Sequence, residues 1–160
     1  MNEELASLLR ALDGVRQSPK YHPEGDALFH SHQVFELATR ATPDRVLWAA
    51  ALLHDVGKAV DGPLHDEVGA DLLEGLVCDR AVWLVRHHLD LLRDRRLTRR
   101  RLHGTAALRD LELLRRWDLG GRDPRARVMD VDDALALLFD GDARALDPDA
   151  GEGSFDPLSP

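Results

Sequence analysis

The stretch ALLHDVGKAV, residues 51–60, ends an apolar run with His54, Asp55 and Lys58 side by side. An apolar helix belongs in a core, and a core holds such groups only when they are paired, hydrogen-bonded or bound to an ion. Val46, Leu47, Ala49, Ala50, Leu52, Leu53 and Val56 cover nearly every side of this helix, which places it at the centre of a helical bundle. Thr42 as N-cap, Pro43 in the first turn and Asp44 at the positive end of the dipole mark its start, and Gly57 suits its end. His54 and Asp55, as neighbours, point about 100 degrees apart on a straight helix, so they share an ion only where the helix ends or bends.

Outward from this helix the signals stay helical. There is no period-2 alternation and no Asn-Gly or Asp-Gly hairpin between β-branched runs, so the fold class is all-α, a bundle of about six to seven helices. Helices are expected over about residues 2–16, ended by Pro19, then over 27–40, 65–76, 80–92 and from Thr105 through AALRDLELLRRWDLG, with a last one over 130–139. YHPEGD (21–26) and RDRRLTRRRLHG (93–104) read as loops. Residues 141–160, rich in Asp, Gly and Pro and poor in anchors, read as a flexible acidic tail to a domain over 1–140.

Composition narrows the chemistry. The 160 residues suffice for one cored domain, and 44% hydrophobic with 31% charged residues is a globular balance. No apolar run approaches a membrane span and MNEELASLLR is no secretory signal, so a cytoplasmic location is expected. The single Cys78 rules out an internal disulfide and any cysteine-built metal site, so a metal here needs His and carboxylate ligands. The net charge of -8 argues against generic nucleic-acid coating but permits a local basic patch.

A metal site on a helical bundle draws ligands from several helices, so they lie far apart in sequence. His30, His54, Asp55, His65, His87, His88 and Asp118 are spread in that way. Mixed imidazole and carboxylate donors suit one or two divalent ions of iron, manganese, nickel, cobalt, zinc or magnesium, without choosing among them.

The order His30, His54-Asp55, Asp118 with LLHDVGK intact resembles the HD superfamily of metal-dependent phosphohydrolases. HPEGDALFHSHQVFELA, AALLHDVGK, HDEVGADLLEGL, VRHHL and LELLRRWDLGGR come in the order found in the HD domains of bacterial CCA-adding tRNA nucleotidyltransferases, over about residues 22–122. The residues before His22 are too few for a nucleotidyltransferase head, so a stand-alone domain is expected. The resemblance implies His30, His54, Asp55 and Asp118 as primary metal ligands. It places His65, His87 and His88 where two-metal branches hold a second ion, with Asp55 bridging. On the helix itself His87 and His88 diverge, so at least one faces the site. Asp55 is the expected catalytic residue, with Lys58 offering its ammonium to a phosphate and Arg86 a second substrate-binding cation.

The implied activity is hydrolysis of a phosphomonoester or phosphodiester in a nucleotide, a cyclic nucleotide or an RNA end. The alternatives are a dinucleoside polyphosphate hydrolase and a non-catalytic nucleotide- or metal-binding module. The expected partners are a phosphorylated small molecule or nucleotide and an RNA end, with no membrane and a monomer or homodimer. The chain lacks the Gly-Tyr-Pro signature of the cyclic di-GMP branch after His88, and Trp117 stands before Asp118 where relatives have a smaller residue, which is expected to crowd the site. His22 reads as structural or substrate-facing and His32 as surface or supporting. Asp26 reads equally as a helix cap or a water-positioning group, as does Glu24 for the latter role. Six of the nine residues from 93 to 101 are Arg, either a basic rim for an acidic substrate or a solvated loop.

Overall fold

The computed structural model describes residues 2–141, 143–150 and 155–160. Nine α-helices and no paired strands occur among the described residues: α1 (Asn2–Arg10), α2 (Ala27–Ala41), α3 (Arg45–Leu53), α4 (His65–Leu73), α5 (Asp79–His87), α6 (Asp90–Arg93), α7 (Arg95–Arg101), α8 (Ala106–Gly120) and α9 (Val131–Phe139). Short 3-10 turns cover Val56–Ala59 and Arg144–Leu146. The fold is the expected all-α bundle.

Helix α3 is its axis. Every residue of α3 except Arg45 and Trp48 is buried, and the helix packs against α2, α5, α8 and α9. Its cap is Asp44 rather than Thr42: the carboxylate accepts from Val46 N at 3.0 Å, while Thr42 closes α2. Arg80 locks this corner, reaching Asp44 at 2.7 Å and the buried Asp110 at 2.8 Å.

Several boundaries differ from the expected ones, each for a local reason. Helix α1 stops at Arg10, and Val15 and Gln17 pair instead with the backbone of Ala27 and Gly25. Helix α3 ends at Leu53, earlier than expected, and the chain leaves it through Asp55 (φ -104°, ψ 4°) into the first 3-10 turn. The expected helix 80–92 breaks after His87, since His88 and Leu89 turn before α6 begins. The arginine-rich stretch expected as a loop forms α7, because Asp94 caps it by accepting from Leu97 N at 2.9 Å. Thr105 and Asp130 cap α8 and α9 as their sequence positions suggest.

The 141–160 segment carries anchors where none were expected. Leu146 is fully buried in the core, and the Phe155 ring lies 5.6 Å from that of Trp83. Residues 142 and 151–154 of that segment lie outside the described residues.

Gly57 explains how the turn after α3 meets α4. A Cβ there would lie 2.1 Å from His65 O and 2.7 Å from Gly69 N. Only a hydrogen fits, so the turn rests directly on the backbone of α4. A second close approach occurs at Gly121, where a Cβ would lie 2.8 Å from Val34 Cγ2. The chain after α8 is thereby brought against α2.

Candidate metal centre

Five elements meet around Asp55. α2 supplies His30, the end of α3 supplies His54 and Asp55, the start of α4 supplies His65, and the turn after α5 supplies His88. Asp118 comes from the last turns of α8. All six are buried. The early end of α3 lets adjacent His54 and Asp55 converge, with Nε2 and Oδ2 3.4 Å apart.

The donor atoms fall into two groups that share Asp55. On one side Asp55 Oδ2 lies 3.9 Å from His30 Nε2, which is 2.9 Å from Asp118 Oδ1, itself 3.8 Å from His54 Nε2. On the other, Asp55 Oδ1 lies 3.2 Å from His65 Nε2 and 3.8 Å from His88 Nε2. Within the triads His30, His54, Asp55 and Asp55, His65, His88, the candidate ligand atoms all lie within 4.8 Å of one another.

Each ring is aimed by its other nitrogen. Nδ1 of His54 donates to Ala51 O at 2.8 Å, that of His65 to Gly62 O at 2.6 Å and that of His88 to Val85 O at 2.6 Å. All three acceptors lie three residues back along the chain. His30 is held differently, its Nδ1 lying 2.8 Å from Gly121 O and 3.1 Å from Glu24 Oε1. In His54, His65 and His88 such bonds turn the Nε2 lone pair towards a metal, whereas Nε2 of His30 lies 2.9 Å from Asp118 Oδ1 and would have to give up its proton to bind one.

The buried Nε2 atoms of His54 and His88 have no hydrogen-bond partner. Burying an imidazole nitrogen without a partner is costly, and an ion in each triad, one beside His54 and one beside His88, would satisfy both. Four imidazoles and two carboxylates, with one carboxylate placed to bridge, fit one or two divalent ions of the first transition row.

The electrostatics of the centre turn on its two buried carboxylates and the imidazoles around them. Burial would raise the pKa of Asp55, but His54 and then Lys58 outweigh it and hold the carboxyl well below its usual range. Asp118 is likewise held low, against burial, chiefly by the hydrogen bond from His30. Burial would lower the pKa of His30, yet Asp118 and Glu24 push it up to about 9. Burial dominates at His88, aided by the charge of His54, and pushes it down to about 4.

The remaining sequence candidates separate clearly. Lys58 Nζ donates to Asp55 Oδ2 at 2.8 Å and to Gln17 Oε1, so it borders the centre as expected. His87 points elsewhere: as the last residue of α5 it stacks on Trp83, with ring centroids 4.5 Å apart, and its Nδ1 pairs with Asp90 at 2.8 Å. The break after His87 turns His88 inward and leaves His87 on the flank. Arg86 is also not brought to the centre, because Asp71 and Glu74 on the surface of α4 and its following turn engage its guanidinium.

His22 and Glu24 sit behind His30. Glu24 Oε1 lies 2.7 Å from His22 Nδ1, and the side chain of Glu24 is fully buried. Sequence reasoning gave Glu24 a water- or substrate-positioning role and did not foresee that it backs His30. Its place in HPEGD, six residues before His30, was the available signal. Asp26 is a helix cap, accepting from Phe29 N at 2.9 Å and from Gly14 N at 2.6 Å. His32 is not on the surface: it is 2% exposed and neither ring nitrogen has a partner. Trp117, next to Asp118, packs into the hydrophobic core. Arg115 and Arg122 flank Asp118, at 3.3 and 3.7 Å.

Among the described residues no helix is long and apolar enough to cross a membrane. The sequence model of the HD domain matches residues 28–138. The Multifunctional CCA protein of Xanthomonas euvesicatoria pv. vesicatoria (strain 85-10) is 34% identical over 152 residues, covering 84% of this chain and 33% of the relative. That of Xanthomonas campestris pv. campestris (strain B100) is 35% identical over 154 residues, covering 85% of this chain and 34% of the relative. That of Hahella chejuensis (strain KCTC 2396) is 41% identical over 75 residues, covering 42% and 18%. The chain thus spans about a third of the length of the first two relatives.

Proposed function

The chain belongs to the HD domain family, and from that premise we propose that it is a divalent-metal-dependent phosphohydrolase acting on a nucleotide, a cyclic nucleotide or an RNA end. The observation that carries this reading is the pair of orphaned Nε2 atoms, His54 and His88, facing opposite oxygens of one buried carboxylate. His30, His54, Asp55 and Asp118 would hold one ion, and His65, His88 and Asp55 a second. Divalent ions in these places would supply Lewis-acid stabilisation of phosphoryl charge and a water acidic enough to act as nucleophile near neutral pH.

The chain's own residues do the rest. Asp55 joins the two halves and fixes their separation through its two oxygens. Lys58 beside it presents an ammonium to a non-bridging phosphoryl oxygen, a point charge that needs no planar alignment. Arg115 and Arg122, drawn to Asp118, place two further cations at the other edge of the centre. Glu24 holds His30 from behind, keeping its Nε2 forward.

A catalytic reading is favoured over a binding module because six buried candidate ligands converge on one centre and each imidazole is oriented by a bond from its other nitrogen. A dinucleoside polyphosphate is the second substrate class, since its phosphate chain suits the same cations. The test is release of phosphate or nucleotide by the wild type and Asp55→Ala side by side. The panel holds 2′,3′-cyclic AMP, 2′-, 3′- and 5′-nucleotides, diadenosine tetraphosphate and bis(p-nitrophenyl) phosphate, each with manganese, nickel, cobalt, iron, zinc or magnesium. Metal-dependent release by the wild type alone is the expected result, and the best substrate names the class. Silence across the panel with metal bound, or normal turnover by Asp55→Ala, overturns the reading.

A further inference from the structure

Beside the centre, α6, α7 and α8 enclose an open groove of about 610 Å³. Its walls carry four arginines, Arg95 and Arg99 from α7 and Arg115 and Arg116 from α8, with Glu112 as the one acidic residue lining it. This concentration of positive charge stands out on a chain whose net charge is -8. Glu112 is already neutralised by Arg99, whose Nε and Nη2 donate to it at 3.0 and 2.8 Å. Arg95 and Arg116 make no ion pair among the described residues, so their guanidinium groups are uncommitted.

Two further features give the groove a direction and a chemistry. Arg115 also reaches Asp118 Oδ2 at 3.3 Å, and Asp118 Oδ1 lies 2.9 Å from His30 Nε2, so the groove leads to the edge of the metal centre. Between the arginines, Leu92 and Leu119 are 59% and 50% exposed, offering apolar surface to sugar or base faces. A rim of cations around exposed leucines offers charge to an external phosphate backbone and an apolar floor to unpaired bases.

We propose that this groove binds single-stranded RNA, the part of the substrate behind the reacting end, through its phosphates. The assignment deepens the phosphohydrolase reading and rests on it for what happens at the centre, but RNA affinity does not require turnover. Lacking aromatic platforms, the groove takes the backbone with little sequence preference.

The test is fluorescence anisotropy with a short labelled single-stranded oligoribonucleotide, titrated at several salt concentrations with the metal-loaded protein. The wild type binds, and Arg95→Ala/Arg116→Ala binds about tenfold more weakly, with the slope of log affinity against log salt shallower by about 1.4, two phosphate contacts at about 0.7 each. Arg125→Ala/Arg127→Ala, which removes the same charge elsewhere, leaves affinity near the wild-type value. No binding by the wild type, equal loss in both double variants, or equal affinity for duplex DNA of the same length overturns the proposal. So does a dimer in sedimentation that Arg95→Ala/Arg116→Ala dissociates, since the groove would then belong to a second copy. Hydrolysis of bis(p-nitrophenyl) phosphate, measured separately, reports on the catalytic reading: binding without hydrolysis leaves the groove and removes the enzyme, hydrolysis without binding the reverse.

Discussion

Gly57→Ala should do more damage than the same substitution at any other described glycine. The new Cβ would lie 2.1 Å from His65 O, 2.7 Å from Gly69 N and 2.8 Å from His65 C, where ordinary contact begins near 3.4 Å. The His65 carbonyl would have to retreat by more than 1 Å. All three neighbours are backbone atoms of α4, so no side-chain rotation relieves the clash and the whole first turn must move. The cost is at the upper end of overpacking, about 3 kcal/mol, which lowers the Tm by roughly 6–12 °C for a chain of this size. The same movement carries His65 Nε2 away from Asp55 Oδ1, now 3.2 Å distant. Thermal unfolding by circular dichroism and metal content by mass spectrometry read the two consequences. Gly69→Ala, whose nearest contacts are 3.2 Å to Gly57 N and 3.4 Å to Val85 Cγ1, is the graded companion and should cost about 1 kcal/mol. A Gly57→Ala protein that melts within about 2 °C of the wild type with unchanged metal content would refute the claim that this contact sets the centre.

Three other outcomes follow from the site. His88→Ala should reduce bound metal by one equivalent, whereas His87→Ala should leave it unchanged and cost only about 0.5–1 kcal/mol for the lost Trp83 stacking; calorimetric metal titration distinguishes them, and equal loss would mean the α5 break is wrongly placed. The metal-free protein should lose stability as pH falls from 6.5 towards 4, because His88, pushed down to about 4 by burial, stays neutral in the native state while the unfolded chain binds its proton. The slope from this one group is at most about 1.4 kcal/mol per pH unit, denaturant melts should show it, and His88→Asn should flatten it; His30, raised to about 9, adds stability that is lost only as pH rises from 6.5 through 9. His32→Ala should destabilise by about 2 kcal/mol through the cavity it leaves, with metal content intact, and His32→Phe less, since it removes two orphaned nitrogens.

The centre of the fold was legible because α3 is apolar on nearly every side, a pattern that admits only a buried axis. The structure brings His30, His54, Asp55, His65 and Asp118 together; these residues are scattered over the sequence, and it was the resemblance to HD domains, with its fixed order of motifs, that grouped them. What failed is what depends on a helix's last turn. Nothing local in VRHHLD says that α5 stops at His87, and that one-residue decision separates a residue facing the centre from one stacked on Trp83. Arg86 was misplaced for a similar reason: Asp71 and Glu74, which engage it, lie 15 and 12 residues away in sequence. The burial of His32 ran against the usual reading of a polar residue, and the anchoring of Leu146 needed a groove formed by helices far upstream.

The bonds that aim the imidazoles differ in reach. His54, His65 and His88 are each fastened to a carbonyl three residues earlier, so their directions are fixed by their own turns of chain. His30 is fastened to Gly121, 91 residues away, at the point where Gly121 meets Val34 too closely for any side chain. The His65 and His88 half of the basin is therefore self-aligning, whereas in the other half only His54 is, since His30 and Asp118 depend on correct docking of the far end of α8 on α2. Any disturbance of that seam misdirects His30 and Asp118 together while three rings keep their bearing. The same basin thus holds a sturdy compartment and a conditional one, separated by the two oxygens of Asp55.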